Sequence, residues 1–136
     1  MITPNDTKLI AVNSKNYFIY LGRERGKRTV HKVGQSVRPC WKRCANTDYL
    51  IGVGINIHFP DALERTRKNH LNETERMIVG FFKERFPVEH GHEYFRTKNF
   101  KWEQTKKLFL AQMVSYLEEM GWEYEIFEGW ATEGTY

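Results

Sequence analysis

The spacing of apolar and polar positions predicts three strands in the first half of the chain. Residues 17–21 and 29–34 are short runs rich in aromatic and β-branched side chains, separated by a charged, glycine-containing stretch. This pattern is typical of a β-hairpin with a longer loop. Residues 49–59 place Ile or Val at every second position, which predicts a half-buried third strand. A weaker apolar run at residues 9–12 also resembles a strand.

Helical patterns dominate the second half of the chain. Residues 61–64 and 72–75 each place an N-cap type residue three positions before a glutamate, so they predict two helix starts. The second of these helices carries an apolar stripe and ends at Pro87. A last helix is predicted from Asn99 to Met120, closed by Gly121.

Three shorter segments complete the prediction. Residues 39–45 are expected to form a short helix that places Cys40 and Cys44 on one face. Residues 91–96 are expected to form a short strand. The aromatic and acidic alternation of residues 122–127 favours an edge strand.

Composition narrows the class of protein. The chain has 136 residues, of which 40% are hydrophobic and 15% aromatic, which is enough for one folded domain over residues 1–136. The apolar runs are shorter than the roughly 20 residues that a membrane helix needs, so no membrane association is expected. The first residues do not resemble a signal peptide, and two cysteines favour free thiols. A cytoplasmic location is therefore expected.

Charge is distributed unevenly along the chain. Residues 23–43 contain eight Lys or Arg against one acidic residue, Glu24, whereas residues 113–136 contain six Glu and no Lys or Arg. A basic segment of this kind favours contact with the phosphates of DNA, although it can also be an ordinary solvated surface. The candidate substrate-binding residues in it are Arg25, Lys27, Arg28, Arg38 and Lys42.

Five short motifs occur in a characteristic order between residues 17 and 96. They are Phe18-Ile19-Tyr20, then Lys32-Val33-Gly34-Gln35-Ser36, an arginine in the helix that follows, Glu75, and Glu93-Tyr94-Phe95. This order resembles the GIY-YIG nuclease superfamily. It is most similar to the branch, common in phages and mobile elements, whose second motif reads Lys-Ile-Gly and whose domain ends on Glu-Trp-Phe.

The resemblance implies both a fold and an activity. The fold would be a small α/β (α+β) domain with a three-stranded antiparallel sheet flanked by helices, with residues 99–136 added as a C-terminal helix and acidic tail. The activity would be endonucleolytic hydrolysis of DNA phosphodiester bonds with one Mg²⁺ or Mn²⁺ ion, and a homodimer is one possible form. The implied catalytic residues are Tyr20, Lys32, Arg43 and Glu75, with Glu75 as the metal ligand.

Phosphodiester hydrolysis needs a base for water, cations for the phosphate and a metal for the leaving oxygen. A nearby ammonium such as that of Lys32 favours the phenolate of Tyr20 and so lowers its pKa from about 10. Arg43 can donate two parallel hydrogen bonds to a phosphate. Because the arginine is one residue further from Gly34 than the family pattern, Arg38 and Lys42 remain alternatives for that role.

Each of these residues also has a purely structural interpretation. Tyr20 and Lys32 can be ordinary strand residues, and Glu75 can serve as the capping partner of Asn72. Glu64 is the alternative metal ligand, but no apolar stripe follows it. The cysteines and histidines lack the spacing of a zinc site.

Two other functions remain open at this stage. The first is a related module that binds nucleic acid but does not cleave it. The second is a small phage protein that acts through a protein partner bound to its acidic tail.

Overall fold

The fold is built on one antiparallel sheet. A computed structural model describes residues 17–37, 49–91, 93–97 and 101–128. The strands are β1 (Phe18–Glu24), β2 (Val30–Ser36), β3 (Tyr49–His58), β4 (Val88–His90), β5 (Tyr94–Arg96) and β6 (Glu123–Glu128). They are arranged in the order β4-β5-β2-β1-β3-β6. A 3₁₀ turn (Asp61–Thr66) leads into helix α1 (Arg67–Arg85), and helix α2 (Trp102–Met120) precedes β6.

The expected three-stranded sheet is wrong, because the described residues alone form a sheet of six strands. The predicted hairpin and third strand form its centre as β1, β2 and β3. β5 pairs with residues 30–32 of β2, and β6 pairs with residues 53–58 of β3. A sheet of only three strands would leave the outer peptide groups of β2 and β3 unpaired, and the additional strands pair with a large part of them. The strand predictions at 91–96 and 122–127 are confirmed as β5 and β6.

The predicted helix start at Asn72 is also wrong. Helix α1 is continuous from Arg67 to Arg85, and Asn72 lies in its second turn. No glycine or proline interrupts residues 61–71, and Leu71 is fully buried, so the helix extends upstream of the apparent cap. The predicted ends are confirmed, since α1 stops before Pro87 and Gly121 closes α2 with φ of 73°.

The apolar core lies between one face of the sheet and the two helices. Strand residues such as Ile19, Leu21 and Ile55 contribute to it, because alternate side chains of a strand point to the same face. Helix α2 contributes Phe109, Met113 and Leu117 at intervals of four residues. Full burial of one such side chain stabilises the fold by roughly 1.5–3 kcal/mol.

The opposite face of the sheet carries polar groups that are buried. Tyr20 and Asn56 project from it and are buried, as is Lys32.

The predictions for residues 9–12, 39–45 and Asn99 fall outside the described residues. Within the part of the chain that the structure describes, neither helix is long and apolar enough to cross a membrane.

Candidate active site

Tyr20 and Lys32 are brought together by the register of the β1–β2 hairpin. Tyr20 pairs with Gly34 and Gly22 pairs with Lys32, so the two side chains are diagonal neighbours on the same face. Lys32 Nζ donates a hydrogen bond of 3.0 Å to Tyr20 Oη. Both side chains are buried, with Tyr20 1% and Lys32 8% exposed. The structure therefore places the two predicted residues in direct contact.

Gly34 provides the space that Tyr20 occupies. A Cβ atom added to Gly34 would lie less than 3 Å from the hydroxyl and the ring of Tyr20. Real Cβ atoms do not approach other atoms so closely, so a larger side chain would displace the ring. The glycine of the second motif thus has a steric role, because it lets the tyrosine of the first motif lie across β2.

Tyr49 is a member of this site that the sequence analysis missed. Tyr20 Oη donates to Tyr49 Oη at 2.9 Å, and the two rings stack with centroids 5.6 Å apart. Lys32 Nζ lies 4.0 Å from the centroid of the Tyr49 ring, within the range of a cation–π interaction. The ammonium therefore contacts both a phenol oxygen and a second aromatic ring.

A register shift explains why Tyr49 was missed. Simple alternation places residue 49 on the same face as Val53 and Ile55, which is the face of the apolar core. Leu21 pairs with Val53 but Gly22 pairs with Ile51, so Gly52 is an extra residue in β3. A β-bulge of this kind reverses the alternation before it, and Tyr49 consequently reaches the face of Tyr20.

Glu93 is a further contact of Lys32. Its carboxylate lies 3.4 Å from Lys32 Nζ. The Val33 N–H donates to the Glu93 carbonyl at 3.0 Å, which fixes this residue beside β2 just before β5 begins. The side chains of Tyr49, Tyr20, Lys32 and Glu93 thus form a continuous chain of polar contacts.

On the face of the sheet that packs against the helices, Gln35 of β2 binds Glu75 of α1. Gln35 Nε2 donates to Glu75 Oε1 at 3.0 Å and to Asn72 Oδ1 at 2.7 Å. Lys68 Nζ donates to Gln35 Oε1 at 2.6 Å. Gln35 follows Gly34 directly, so its side chain points to the helix side of the sheet. The sequence predicts Asn72 as a helix cap, but in the structure its side chain accepts a hydrogen bond from Gln35 of β2.

A cleft of about 260 Å³ lies between α1 and Glu93. It is lined by Glu75 and Glu93, by two cations that sequence reasoning missed, Arg76 and Lys83, and by Val79 and Gly80. Within the described residues, no hydrogen bond or ion pair joins Glu75 directly to Tyr20 or Lys32. Glu93 connects Glu75 with Lys32, because it lines the same cleft as Glu75 and its carboxylate also contacts Lys32.

The cleft has the donor atoms that magnesium prefers. Mg²⁺ takes oxygen ligands and keeps several waters, so one or two protein carboxylates suffice. Among the residues that the structure describes, no group of three or more His, Cys, Asp or Glu side chains is arranged to hold a metal ion. Glu75 and Glu93 line the same cleft, so their carboxylate oxygens are the candidate ligands for a hydrated Mg²⁺ or Mn²⁺ ion there.

The basic hairpin turn connects the end of β1 to the start of β2. Arg25, Lys27 and Arg28 are exposed there. Lys27 Nζ is 2.7 Å from the Glu24 carboxylate, which also contacts His90. Burial alone would raise the pKa of Glu24, but the hydrogen bonds and charges of Lys27 and His90 lower it below the usual value. Lys27, a predicted DNA contact, is thus already paired within the protein.

The remaining predicted cations, Arg38, Lys42 and Arg43, lie outside the described residues, as do Cys40, Cys44 and His92.

His31 lies within the described residues and is buried in the core. Its Nδ1 is 2.6 Å from Thr97 Oγ1, and its ring stacks on Trp102. Burial, and to a smaller extent the charge of Arg23, lowers the pKa of His31 to about 4, so the ring is neutral at pH 7.

The arrangement contains candidates for the groups that phosphodiester hydrolysis requires. The phenol in contact with an ammonium is a candidate base, the cleft carboxylates are candidate metal ligands, and Arg76 and Lys83 place positive charge beside them.

Comparisons of the chain with protein-family models, with curated protein sequences and with solved structures find no match.

Proposed function

We propose that this protein is a metal-dependent endonuclease that hydrolyses DNA phosphodiester bonds. Tyr20 is the general base, Lys32 is its electrostatic partner and Glu75 is a ligand of the metal ion. The observation that carries the proposal is the 3.0 Å hydrogen bond from Lys32 to Tyr20 in the recess above Gly34. The same pair of residues is implied as catalytic by the resemblance to the GIY-YIG nucleases.

The contacts of Tyr20 favour its ionised form. A phenolate at Tyr20 accepts hydrogen bonds only, and Lys32 Nζ is already placed to donate one. The hydroxyl of Tyr49 can rotate to donate a second, because it lies 2.9 Å away. Charge attraction to Lys32 and these two hydrogen bonds act in the same direction, because each of them stabilises the phenolate that would take a proton from the attacking water.

Glu75 and Glu93 would hold Mg²⁺ or Mn²⁺ at the cleft. When bound, the metal would stabilise negative charge on the phosphate and on the leaving oxygen. Arg76 and Lys83 attract the DNA backbone to the same place. Arg43, with Arg38 or Lys42 as alternatives, is proposed as the cation that holds the reacting phosphate.

Plasmid nicking with Mg²⁺, with and without a chelator, tests the proposal. The wild-type protein is expected to nick DNA only without the chelator, and Glu75→Gln is expected to abolish nicking. Glu84→Gln is the matched control, because Glu84 is an exposed carboxylate on the same helix. Full activity of Glu75→Gln together with loss in Glu64→Gln would assign the metal to Glu64. Absence of nicking by the wild-type protein would contradict the nuclease proposal.

A second candidate function is a nucleic-acid-binding module without cleavage activity. The observation that favours it is the burial of Tyr20, which is 1% exposed and donates its proton to Tyr49. In this case Tyr20 and Lys32 stabilise the sheet and the basic residues bind DNA. Retention of labelled DNA in a gel-shift experiment, with no nicking in Mg²⁺ or Mn²⁺, is the result expected for this function.

A further inference from the structure

Gln35 connects the strand that carries Lys32 to the helix that carries Glu75. It lies on β2 one residue after Gly34, and its side chain makes three hydrogen bonds to residues of α1. Two are donated, to Asn72 and Glu75, and one is accepted, from Lys68. All three are between 2.6 and 3.0 Å long. No other side chain in the described residues is hydrogen-bonded to Glu75.

These hydrogen bonds fix the orientation of the Gln35 amide. An amide side chain has one end that only accepts and one end that only donates. The Lys68 ammonium can only donate, so the Gln35 oxygen must face Lys68. The NH₂ group must then face α1, where its two hydrogens are used by Asn72 and Glu75. A rotated amide would place its oxygen against the Glu75 carboxylate and lose all three bonds.

The consequence for Glu75 is a defined carboxylate orientation. Oε1 accepts from Gln35, whereas Oε2 has no hydrogen-bond partner among the described residues. Glu75 also lines the cleft that contains Glu93. The arrangement occupies one oxygen of the carboxylate and leaves the other for a ligand in the cleft.

We propose that Gln35 is a positioning residue that orients the Glu75 carboxylate for binding a divalent cation. This inference rests on the proposed function, in which Glu75 is a metal ligand. Residues that hydrogen-bond a metal ligand reduce the entropy lost when the metal binds, and their removal typically weakens metal affinity by roughly 10–100-fold. Because Gln35 does not contact the reacting atoms, its loss is expected to affect metal affinity much more than the rate at saturating metal.

Binding of Mn²⁺ to the full-length protein, measured by the electron paramagnetic resonance signal of free Mn²⁺, tests this inference. Gln35→Met preserves the length of the side chain but removes both the donor and the acceptor. Gln35→Asn preserves the amide but withdraws it by one methylene group. Both variants are expected to bind Mn²⁺ about 10-fold or more weakly than wild type. Gln112→Met, a substitution of the same type on α2, is expected to bind it as wild type does.

Nicking as a function of Mg²⁺ concentration provides the second measurement. In both Gln35 variants, the Mg²⁺ concentration for half-maximal rate is expected to rise by about 10-fold or more, while the rate at saturation stays within about threefold of wild type. Wild-type Mn²⁺ affinity in a folded Gln35 variant, combined with its loss in Glu75→Gln, would overturn this inference and leave the proposed function intact. Unchanged Mn²⁺ binding in Glu75→Gln would overturn this inference and also the assignment of Glu75 as a metal ligand.

Discussion

The two sides of β2 carry the two parts of the candidate site, and they are built differently. On one side, Tyr20 and Lys32 are buried and held by strand register and aromatic packing. On the other side, Glu75 lies on a cleft wall and is held by one side-chain hydrogen bond from Gln35. Close packing holds the Tyr20 and Lys32 side chains in one arrangement, whereas the half-buried carboxylate of Glu75 can exchange its hydrogen-bond partners. The difference agrees with the proposed function, in which the buried side would supply the base and the open side would bind the metal ion.

The largest expected effect is that of Tyr20→Phe, which separates the two sides. Phenylalanine fits the recess above Gly34 but has no proton acceptor, so the cleavage rate should fall by about 10²–10⁴-fold, as is typical when a general base is lost. Mn²⁺ binding should be unchanged, because Glu75 is untouched. Nicking rates and Mn²⁺ affinity measure the two effects. Tyr116→Phe, on α2, is the control. A Tyr20→Phe protein that cleaves at the wild-type rate would exclude Tyr20 as the base.

The sequence predicts the buried side better than the open side, for a physical reason. Hairpin register follows from alternation and turn position, so Tyr20 and Lys32 can be paired from the sequence. Tyr49 cannot, because the extra residue Gly52 leaves no clear signal in an apolar strand. The role of Gln35 also escapes prediction, because it depends on where α1 crosses β2.

The β4 edge of the sheet shows the same limitation. β4 has only three residues, too few for a recognisable period of two, whereas the strand predicted at 91–96 is confirmed as β5. Their membership in the sheet is set by pairing with β2 and with each other, and therefore by tertiary contacts. Asn72 illustrates the same effect in a helix, since a residue typical of a cap is used inside α1 to contact Gln35.

The second prediction concerns the pH dependence of folding, which reports on the core beneath the buried side. His31 neighbours Lys32 on β2, and its pKa is about 4 in the folded protein against about 6.5 when unfolded. Between these values the unfolded chain binds a proton that the folded protein excludes, so stability falls as the pH decreases from 6.5 to 4. The loss should approach about 3 kcal/mol at pH 4, since one pKa unit corresponds to about 1.4 kcal/mol.

Urea unfolding of wild type and His31→Phe between pH 4 and 7 measures this dependence. The phenylalanine can still stack on Trp102 but does not titrate, so the difference in unfolding free energy between the two proteins should change across this range. A constant difference would show that His31 is not the source of the pH dependence.

The third prediction tests whether Gly34 is required by Tyr20. Gly34→Ala should lower the free energy of unfolding by about 1–3 kcal/mol and should also reduce nicking, because the new methyl group overlaps the Tyr20 ring. Gly80→Ala is the matched control: nothing lies within 4 Å of its added Cβ, and it is in the interior of a helix. There alanine should stabilise the protein by about 1 kcal/mol. Equal stability changes in the two variants would contradict the steric role of Gly34.

The smallest expected effect distinguishes two cations of the hairpin turn. Each DNA phosphate that a protein neutralises contributes roughly 0.9 to the slope of log affinity against log salt concentration. Lys27 is 2.7 Å from Glu24, whereas Arg28 is exposed and has no acidic partner in the part of the chain that the structure describes. Arg28→Ala should therefore reduce the slope by about 1, and Lys27→Ala should reduce it by less, because Lys27 must first exchange Glu24 for a phosphate. Fluorescence anisotropy with a labelled duplex at several salt concentrations measures both slopes. Equal reductions would mean that the ion pair with Glu24 opens when DNA binds, and unchanged slopes in both variants would show that these two cations of the hairpin turn do not bind DNA.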